Sequence, residues 1–380
     1  MFSYWEQESF SHYQHIVVGA GIVGLSAAIE LKGQYAHDSV LVLERGLLPT
    51  GASTRNAGFA CMGSAKELLD DLDHNTEEEV VRLFEWRKKG LELLRSRLGD
   101  ERIGYAEQGS YELISTAEQE ATAKIHYLNN LLSTAAGKPA FRLANDKISR
   151  FGFSKGYTRA LIENTCEGSI HSGKMMRALT DMALQKGVEV KTGAVTTGYE
   201  EDNNGVTVMV QDNFRQHRWP LTCDTFTICT NAFAKDLVPE ADVIPGRGQV
   251  LITHPIPGLQ FKGIFHFNKG YYYFREIDGR VLLGGGRNLD FAGETTTDFG
   301  LSELIQGDLE RKLAEIILPG QKFSVNRRWA GIMAFGRQKL PIVQAFSPRV
   351  FGAFRMGGMG VALGSLSAKQ VVALIAEQRP

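Results

Sequence analysis

The chain has 380 residues, 43% hydrophobic and 22% charged, with a formal net charge of −1. That is room for two domains, or one doubly wound domain with an insertion, and the charge balance gives no case for a nucleic-acid or anionic-membrane partner. Four scattered cysteines, Cys61, Cys166, Cys223 and Cys229, form no CxxC pair and imply neither a disulfide framework nor a metal site. No apolar run predicts a membrane span. The opening MFSYWEQESFSHYQ lacks the basic start and apolar core of a signal peptide and reads as a surface tail, with a cytoplasmic location expected.

In chain order, IVV at 16–18 predicts a buried parallel strand, 22–32 a helix and VLVLE at 40–44 a second strand, together a βαβ unit. Residues 65–98 read as helical, with Thr76 and Glu79 spaced as a capping box. SYELIS at 110–115 alternates like a strand, and 117–135 predicts a helix serving as a lid over a second domain. A helix over 172–186 leads into VEV, a third parallel strand. Residues 206–219 predict a hairpin turning at Asp212–Asn213, 225–230 a buried strand, and 271–286 a second hairpin turning at Asp278–Gly279. The chain closes on a helix over 360–377. The expected organisation is α/β with two discontinuous domains: 1–100, 170–245 and 326–380 in a dinucleotide-binding domain, and 101–169 with 246–325 in an inserted mixed-sheet substrate domain.

Gly19-Ala20-Gly21-Ile22-Val23-Gly24 follows a strand and opens a helix, the context in which GxGxxG signals a dinucleotide. The first glycine allows the tight turn, the second lets pyrophosphate approach backbone, and the third lets helix and strand pack closely. Glu44 ends the second strand, placed to accept from a ribose hydroxyl, while Arg45 leaves a 2′-phosphate reading open. NAD and FAD share this fingerprint. GASTRNAG, residues 51–58, is a second glycine-rich stretch bearing Ser53, Thr54, Arg55 and Asn56, which suits a larger ligand; the bland alternative is a loop in which Thr54 and Asn56 make turns. RMGGMGVALGS at 355–365 places glycines before the last helix, where backbone N–H groups would face the pyrimidine side of a flavin.

These segments resemble the D-amino-acid-oxidase-like flavoenzymes, which include glycine, sarcosine and γ-glutamylputrescine oxidases. GAGIVGLSAAIEL with LERG is similar to their FAD fingerprint, and GASTRNAG to the GASGRNGG of the γ-glutamylputrescine oxidase branch. CTNAF at 229–233, LVPE at 237–240, PGRGQV, YYYFREIDGRVLLGGG, RRWAGIM…KLPIV and RMGGMGVALG follow in family order, over roughly residues 14–378. The resemblance implies an FAD-binding Rossmann-like layer roofed by a mixed sheet. It places Gly19, Gly21, Gly24, Glu44, Ser53, Arg55, Asn56 and Gly58 on FAD, with Ala20, Ile22, Val23, Arg45, Ala52, Thr54 and Ala57 beside them. It places Val195 at the adenine through backbone atoms, and Thr230, Gly357, Gly358, Met359, Gly360 and Val361 at the pyrophosphate or ring.

The chemistry implied is oxidation of an amine C–N bond by hydride transfer to flavin, giving an imine that water hydrolyses. The partners are a small-molecule amine and dioxygen or another acceptor, and the alternatives are a dehydrogenase serving a quinone or protein acceptor, or a flavin-binding subunit without turnover of its own. Two departures stand out. Met333 occupies the place where α-amino-acid oxidisers of the family often carry a carboxylate-clamping arginine, and a thioether cannot pair with a carboxylate. Residues 334–345 contain no cysteine, so FAD is expected to be non-covalent. Tyr271 and Tyr273 are the expected substrate-facing tyrosines. Arg275, on the same strand face, reads as a replacement clamp for a remote acid or as a solvated edge residue. His266 reads as a satisfied hairpin histidine or, alternatively, as facing the pocket, and Cys61 as a packed thiol.

Overall fold

A computed structural model describes residues 3–212 and 217–378. Two large mixed sheets organise it. The first runs Ile342–Ala345, Val350–Phe354, His217–Ile228, His12–Val18, Val40–Glu44, Glu189–Thr192, with Val195–Glu201 and Val206–Asp212 carried beside His217–Ile228. His12–Val18 pairs in parallel with both Val40–Glu44 and His217–Ile228, and its His15–Val18 run is buried, as in a parallel sheet covered on both faces. The helix Ile22–Gln34 crosses between the first two strands. It packs against the last helix, Gly360–Gln378, and that helix packs in turn against Glu77–Leu98. The close approach rests on glycines: a Cβ on Gly364 would stand 2.7 Å from Ile22 Cγ2, and one on Gly90 would overlap the Ala362 carbonyl oxygen. Gly360–Gln378 is long and apolar enough to cross a membrane by length and composition, contrary to the reading of the sequence. Its apolarity is spent inside the molecule, where Val361, Leu363, Val371, Val372 and Ile375 are buried.

The second sheet runs Val325–Phe335, Ile244–Thr253, Arg280–Gly285, Tyr272–Ile277, Ile264–Phe267, Ser110–Ile114, Ala160–Asn164, Phe141–Leu143. All its pairings are antiparallel except that of Ile264–Phe267 with Ser110–Ile114. By sheet membership, 326–335 therefore joins 246–325 rather than the nucleotide-type elements. The hairpin turn at Asp278–Gly279 has positive φ at both residues (50° and 70°), as a two-residue turn matching strand twist needs. Behind this sheet lies an aromatic core. Phe265 stacks on Phe274 at 4.7 Å and Phe267 on Tyr272 at 4.9 Å, while the Tyr272 hydroxyl donates to Asp308 at 2.6 Å.

Two local expectations change. The opening tail forms the helix Tyr4–Phe10, started by a Ser3–Glu6 capping box and burying nothing. The stretch 117–135 is not one helix but a run of short ones, Thr116–Glu118, Glu120–Ala123, Ile125–Leu131 and Ser133–Ala136, and it is not a lid: Leu128, Leu132, Ala135 and Ala136 are buried in the helical core, and Ser133–Ala136 packs on Glu77–Leu98. Of the turn expected at Asp212–Asn213, Asn213 lies outside the described residues.

Candidate active site

A cavity of about 600 Å³ runs from the Gly19 turn to the face of the second sheet. Its narrow end is built as the glycine pattern requires. Gly19 has φ +102°, and a Cβ there would sit 2.7 Å from the Cys229 carbonyl oxygen. A Cβ on Gly24 would overlap the Gly19 carbonyl oxygen. Gly24 and Ala20 therefore shape the turn without lining the cavity, whereas Gly19, Gly21, Ile22 and Val23 line it. Glu44 accepts from Ala20 N–H at 3.1 Å and Gly46 N–H at 2.9 Å, which fixes its carboxylate at the cavity edge. Arg45 also lines this end, exposed and lying over the Phe233 ring at 3.6 Å. Val195 and Thr230 line the wall, and the Thr196 and Thr230 hydroxyls are buried without partners. Buried orphan hydroxyls on a ligand-sized cavity call for an acceptor or donor from a bound group.

GASTRNAG folds as the short helix Ala52–Arg55 and the turn after it. Ser53 Oγ accepts from Ile22 N–H at 3.0 Å, capping the helix that the glycine turn opens. Arg55 is committed to backbone: Nη1 donates to Ala330 O at 2.9 Å and Nε to Thr50 O at 2.8 Å. Trp329 Nε1 returns a bond to Arg55 O at 2.9 Å, so the loop is bolted onto the second sheet. Asn56 Oδ1 accepts from Gly58 N–H at 2.8 Å and from Ser172 at 2.6 Å. Thr54 donates to Pro49 O and Gly51 O and does not line the cavity, nor does Gly58. Thr54 and Asn56 thus make turns, while Ala52, Ser53, Arg55, Asn56 and Ala57 present a wall. At the far side Gly357 and Gly358 have φ of +56° and +82°, and with Met359, Gly360 and Val361 they line the cavity just before the last helix.

The wide end belongs to the second sheet. Tyr271, Tyr273, Met333 and His266 line it. Burial raises the Tyr273 phenol to about 12, so it keeps its proton at neutral pH. Burial also drives His266 down to about 4, so it is neutral, and its Nε2 makes no hydrogen bond, with Glu167 Oε2 at 3.8 Å as its nearest acid, rather than being satisfied as expected. Cys61 is packed as predicted, though on the cavity wall, with its sulfur 3.3 Å from Met359 Sδ.

Arg275 is neither a replacement clamp nor solvated. It is buried, does not line the cavity, and donates from Nη1 to Gly58 O at 2.9 Å and Ile170 O at 2.8 Å. Lining residues not singled out in the sequence include Glu67, Arg87, Lys339, Arg287, Phe291 and Phe335. Arg87 stands 3.5 Å from Glu67, and Lys339 pairs with Asp71. Burial opposes the Glu67 charge, but Arg87 and Lys339 outweigh it and hold that carboxyl below its ordinary range. Arg287 follows directly on the glycines of the YYYFREIDGRVLLGGG segment, and the signal for it was a lone cation emerging from the end of a buried strand.

Beneath the wall, Glu167 accepts from Met62 N–H at 2.5 Å, Gly63 N–H at 2.9 Å and Ser110 at 2.5 Å. Burial lifts its carboxyl to about 7 against those bonds. A carboxyl whose folded pKa is raised stabilises below its unfolded value near 4.5, and the contribution is lost as pH climbs through about 7. Glu167→Gln is therefore expected to remove on the order of 3 kcal/mol of the stability lost between pH 4.5 and 7. Denaturant midpoints at pH 5 and pH 8 check this, and an unchanged difference between the two would refute it.

A glycine turn opening a helix, an acid at the next strand end, and a cavity long enough to continue past both onto a second sheet define a dinucleotide-binding oxidoreductase of the flavin type. The chain belongs to the FAD dependent oxidoreductase (DAO) family, whose model matches residues 14–374. It is 23% identical over 380 residues to the bifunctional protein ThiO/ThiG of Nostoc sp., covering 96% of this chain and 53% of that protein, so it spans about half that relative's length. It is 22% identical to the probable oxidoreductase OrdL of Haemophilus influenzae, covering 96% and 83% of the two chains. Among solved structures, glycine oxidase from Geobacillus kaustophilus superposes with a TM-score of 0.78 at 18% identity, over 97% of this chain and 96% of that one. L-Proline dehydrogenase from P. horikoshii gives 0.77 at 17% identity, over 97% and 94%. The fold is the family's FAD-binding Rossmann domain with a substrate domain.

Proposed function

We propose that the protein oxidises the C–N bond of a primary or secondary amine, or an amino-acid derivative, with non-covalently held FAD as its cofactor. The observation that carries this is a single cavity joining the glycine turn to Tyr271, Tyr273 and Met333. In this reading Gly19, Gly21, Glu44, Ser53, Val195 and Thr230 hold the nucleotide and ribityl parts, and Gly357 to Val361 meet the ring. Bound flavin supplies the electron sink. The chain's residues do the rest: the Tyr273 phenol donates a hydrogen bond into the cavity, neutral His266 accepts or donates at Nε2, and the aromatic walls exclude water. The family relatives support action on amino compounds. Solved neighbours include a glycine oxidase and an L-proline dehydrogenase, so both oxygen and other acceptors have precedent within the fold.

Met333 argues against simple α-amino acids. Its sulfur faces Gly358, where a Cβ would lie 3.3 Å from it, and it offers no charge to a carboxylate. The test is an anaerobic titration of the flavin-loaded protein. N-substituted amines are expected to bleach the flavin band, with glycine and D-alanine failing to do so. Met333→Arg is expected to bring glycine or D-alanine into range, raising their rate of flavin reduction tenfold or more. A variant with full flavin and no gain would show that position 333 does not face the reacting carbon. Peroxide release in air separates an oxidase from a dehydrogenase, and full occupancy without reduction by any amine would favour a flavin-binding subunit.

A further inference from the structure

Arg287 forms no ion pair among the described residues, and Glu294 acts on its charge only at a distance. Its Nε is buried without a hydrogen-bond partner, and among the described residues its side chain makes no hydrogen bond. The nearby acid, Glu294, is already saturated, taking Arg247 Nε at 2.9 Å and Nη2 at 2.6 Å and the Gln249 amide at 3.0 Å. Instead the guanidinium lies over two rings, 4.4 Å from the centre of Phe335 and 5.1 Å from that of Phe291. The other cations of the wide end differ: Arg87 and Lys339 have Glu67 or Asp71, and Lys269 has Asp70 at 2.6 Å. The ring faces give a half-buried cation some attraction, but its lost hydration still calls for an anionic partner in the cavity it lines.

Its position relative to Met333 is informative. Phe335 follows Met333 by two residues on Val325–Phe335, so the two side chains share a face, roughly 7 Å apart along the strand. Gly246 is the register partner of Met333, and a Cβ there would stand 2.9 Å from Arg287 Nε. The absence of a side chain at 246 is what gives the guanidinium its place beside that strand. One strand step from the thioether, the same cavity wall therefore carries an unpaired guanidinium.

We infer that Arg287 is the anion anchor of the substrate site, and that the substrate is an amine carrying a carboxylate several bonds away from the C–N bond that is oxidised. This rests on the amine-oxidation reading for its chemistry, but the anchor is tested apart from it. Calorimetric titration of flavin-loaded protein with glutarate, and with glutaramide as the uncharged control, reads binding without turnover. Glutarate is expected to bind and glutaramide not. Arg287→Met is expected to weaken glutarate binding about 10- to 100-fold at unchanged flavin content, with Arg287→Lys losing less. If the Met variant fails to load flavin, Arg287→Gln carries the same comparison. Equal affinity for glutarate and glutaramide, no binding of glutarate, or a loaded Met or Gln variant that binds glutarate as the parent does, would overturn the anchor. A companion bleaching experiment compares 4-(methylamino)butanoate with N-methylbutylamine. If glutarate binds through Arg287 but neither amine bleaches the flavin, amine oxidation fails and the anchor stands. If both amines bleach equally and glutarate binding ignores Arg287, the anchor fails and amine oxidation stands.

Discussion

Gly24→Ala is expected to purify without flavin and with at least about 3 kcal/mol of its stability lost. The added Cβ would stand 1.9 Å from the carbonyl oxygen of Gly19, far inside contact distance, and 3.4 Å from the Cys229 Cβ. Neither obstacle is a flexible side-chain end, so the helix Ile22–Gln34 must move off the strand or the turn must open. Either movement displaces Gly21 and Ile22, which line the cavity and through which Ser53 is seated. Gly33→Ala in the same helix provides the control. A Cβ there meets nothing within 4 Å, so the change should be neutral or stabilise by up to about 1 kcal/mol. Visible absorbance and denaturant midpoints check the pair. A Gly24→Ala protein with full flavin and parental stability would mean the turn is looser than its geometry.

Arg275→Met should destabilise the fold by about 3 kcal/mol while leaving the ratio of carboxylated to uncharged amine turnover where it was. The guanidinium joins the Gly58 and Ile170 carbonyls, and burial already works against its charge. Gly58 O keeps a second donor in the Ile170 N–H at 2.8 Å, so the larger cost falls on Ile170 O. Both bonds leave one terminal nitrogen, Nη1, whose two N–H groups serve the two oxygens. Lysine in its place should recover only part of the loss. A stable Met variant whose preference for carboxylated amines collapses would reverse the assignment and make Arg275 the anchor.

Arg275 and Arg287 show where the sequence was legible and where it was not. The βαβ unit, its glycine turn and Glu44 were readable because each needs a residue type that little else explains: no Cβ, or an acid at a strand end. The hairpin around Asp278–Gly279 was readable for the same reason. Alternation put residues 273 and 275 on one face of Tyr272–Ile277, as the strand has them, but it carries no information about a long side chain's endpoint. Arg275 bends back to two carbonyls supplied from more than 100 residues away in the chain. Arg287 sits past the end of the regular strand, where periodicity stops speaking, and only the assembled cavity shows that no acid pairs with it. Breaks in 117–135 were likewise invisible, since apolar residues at helical spacing serve a run of short helices as well as one long one. Asn56 and Thr54 reversed the usual risk: residue types that suit phosphate are here consumed by their own loop.

The bolting of residues 51–58 to the second sheet has a consequence for how such a protein can diverge. The nucleotide end is held by strand ends of one sheet, the wide end by Met333, Phe335 and Arg287 on and beside the other. Substitutions that far apart, without shared partners, combine additively. A lineage can then retune what enters the wide end while its grip on the nucleotide drifts independently. Arg55 and Trp329 break that independence, because each bonds across from loop to sheet. Changes there are felt at both ends at once, so this short bridge couples what the rest of the molecule keeps apart.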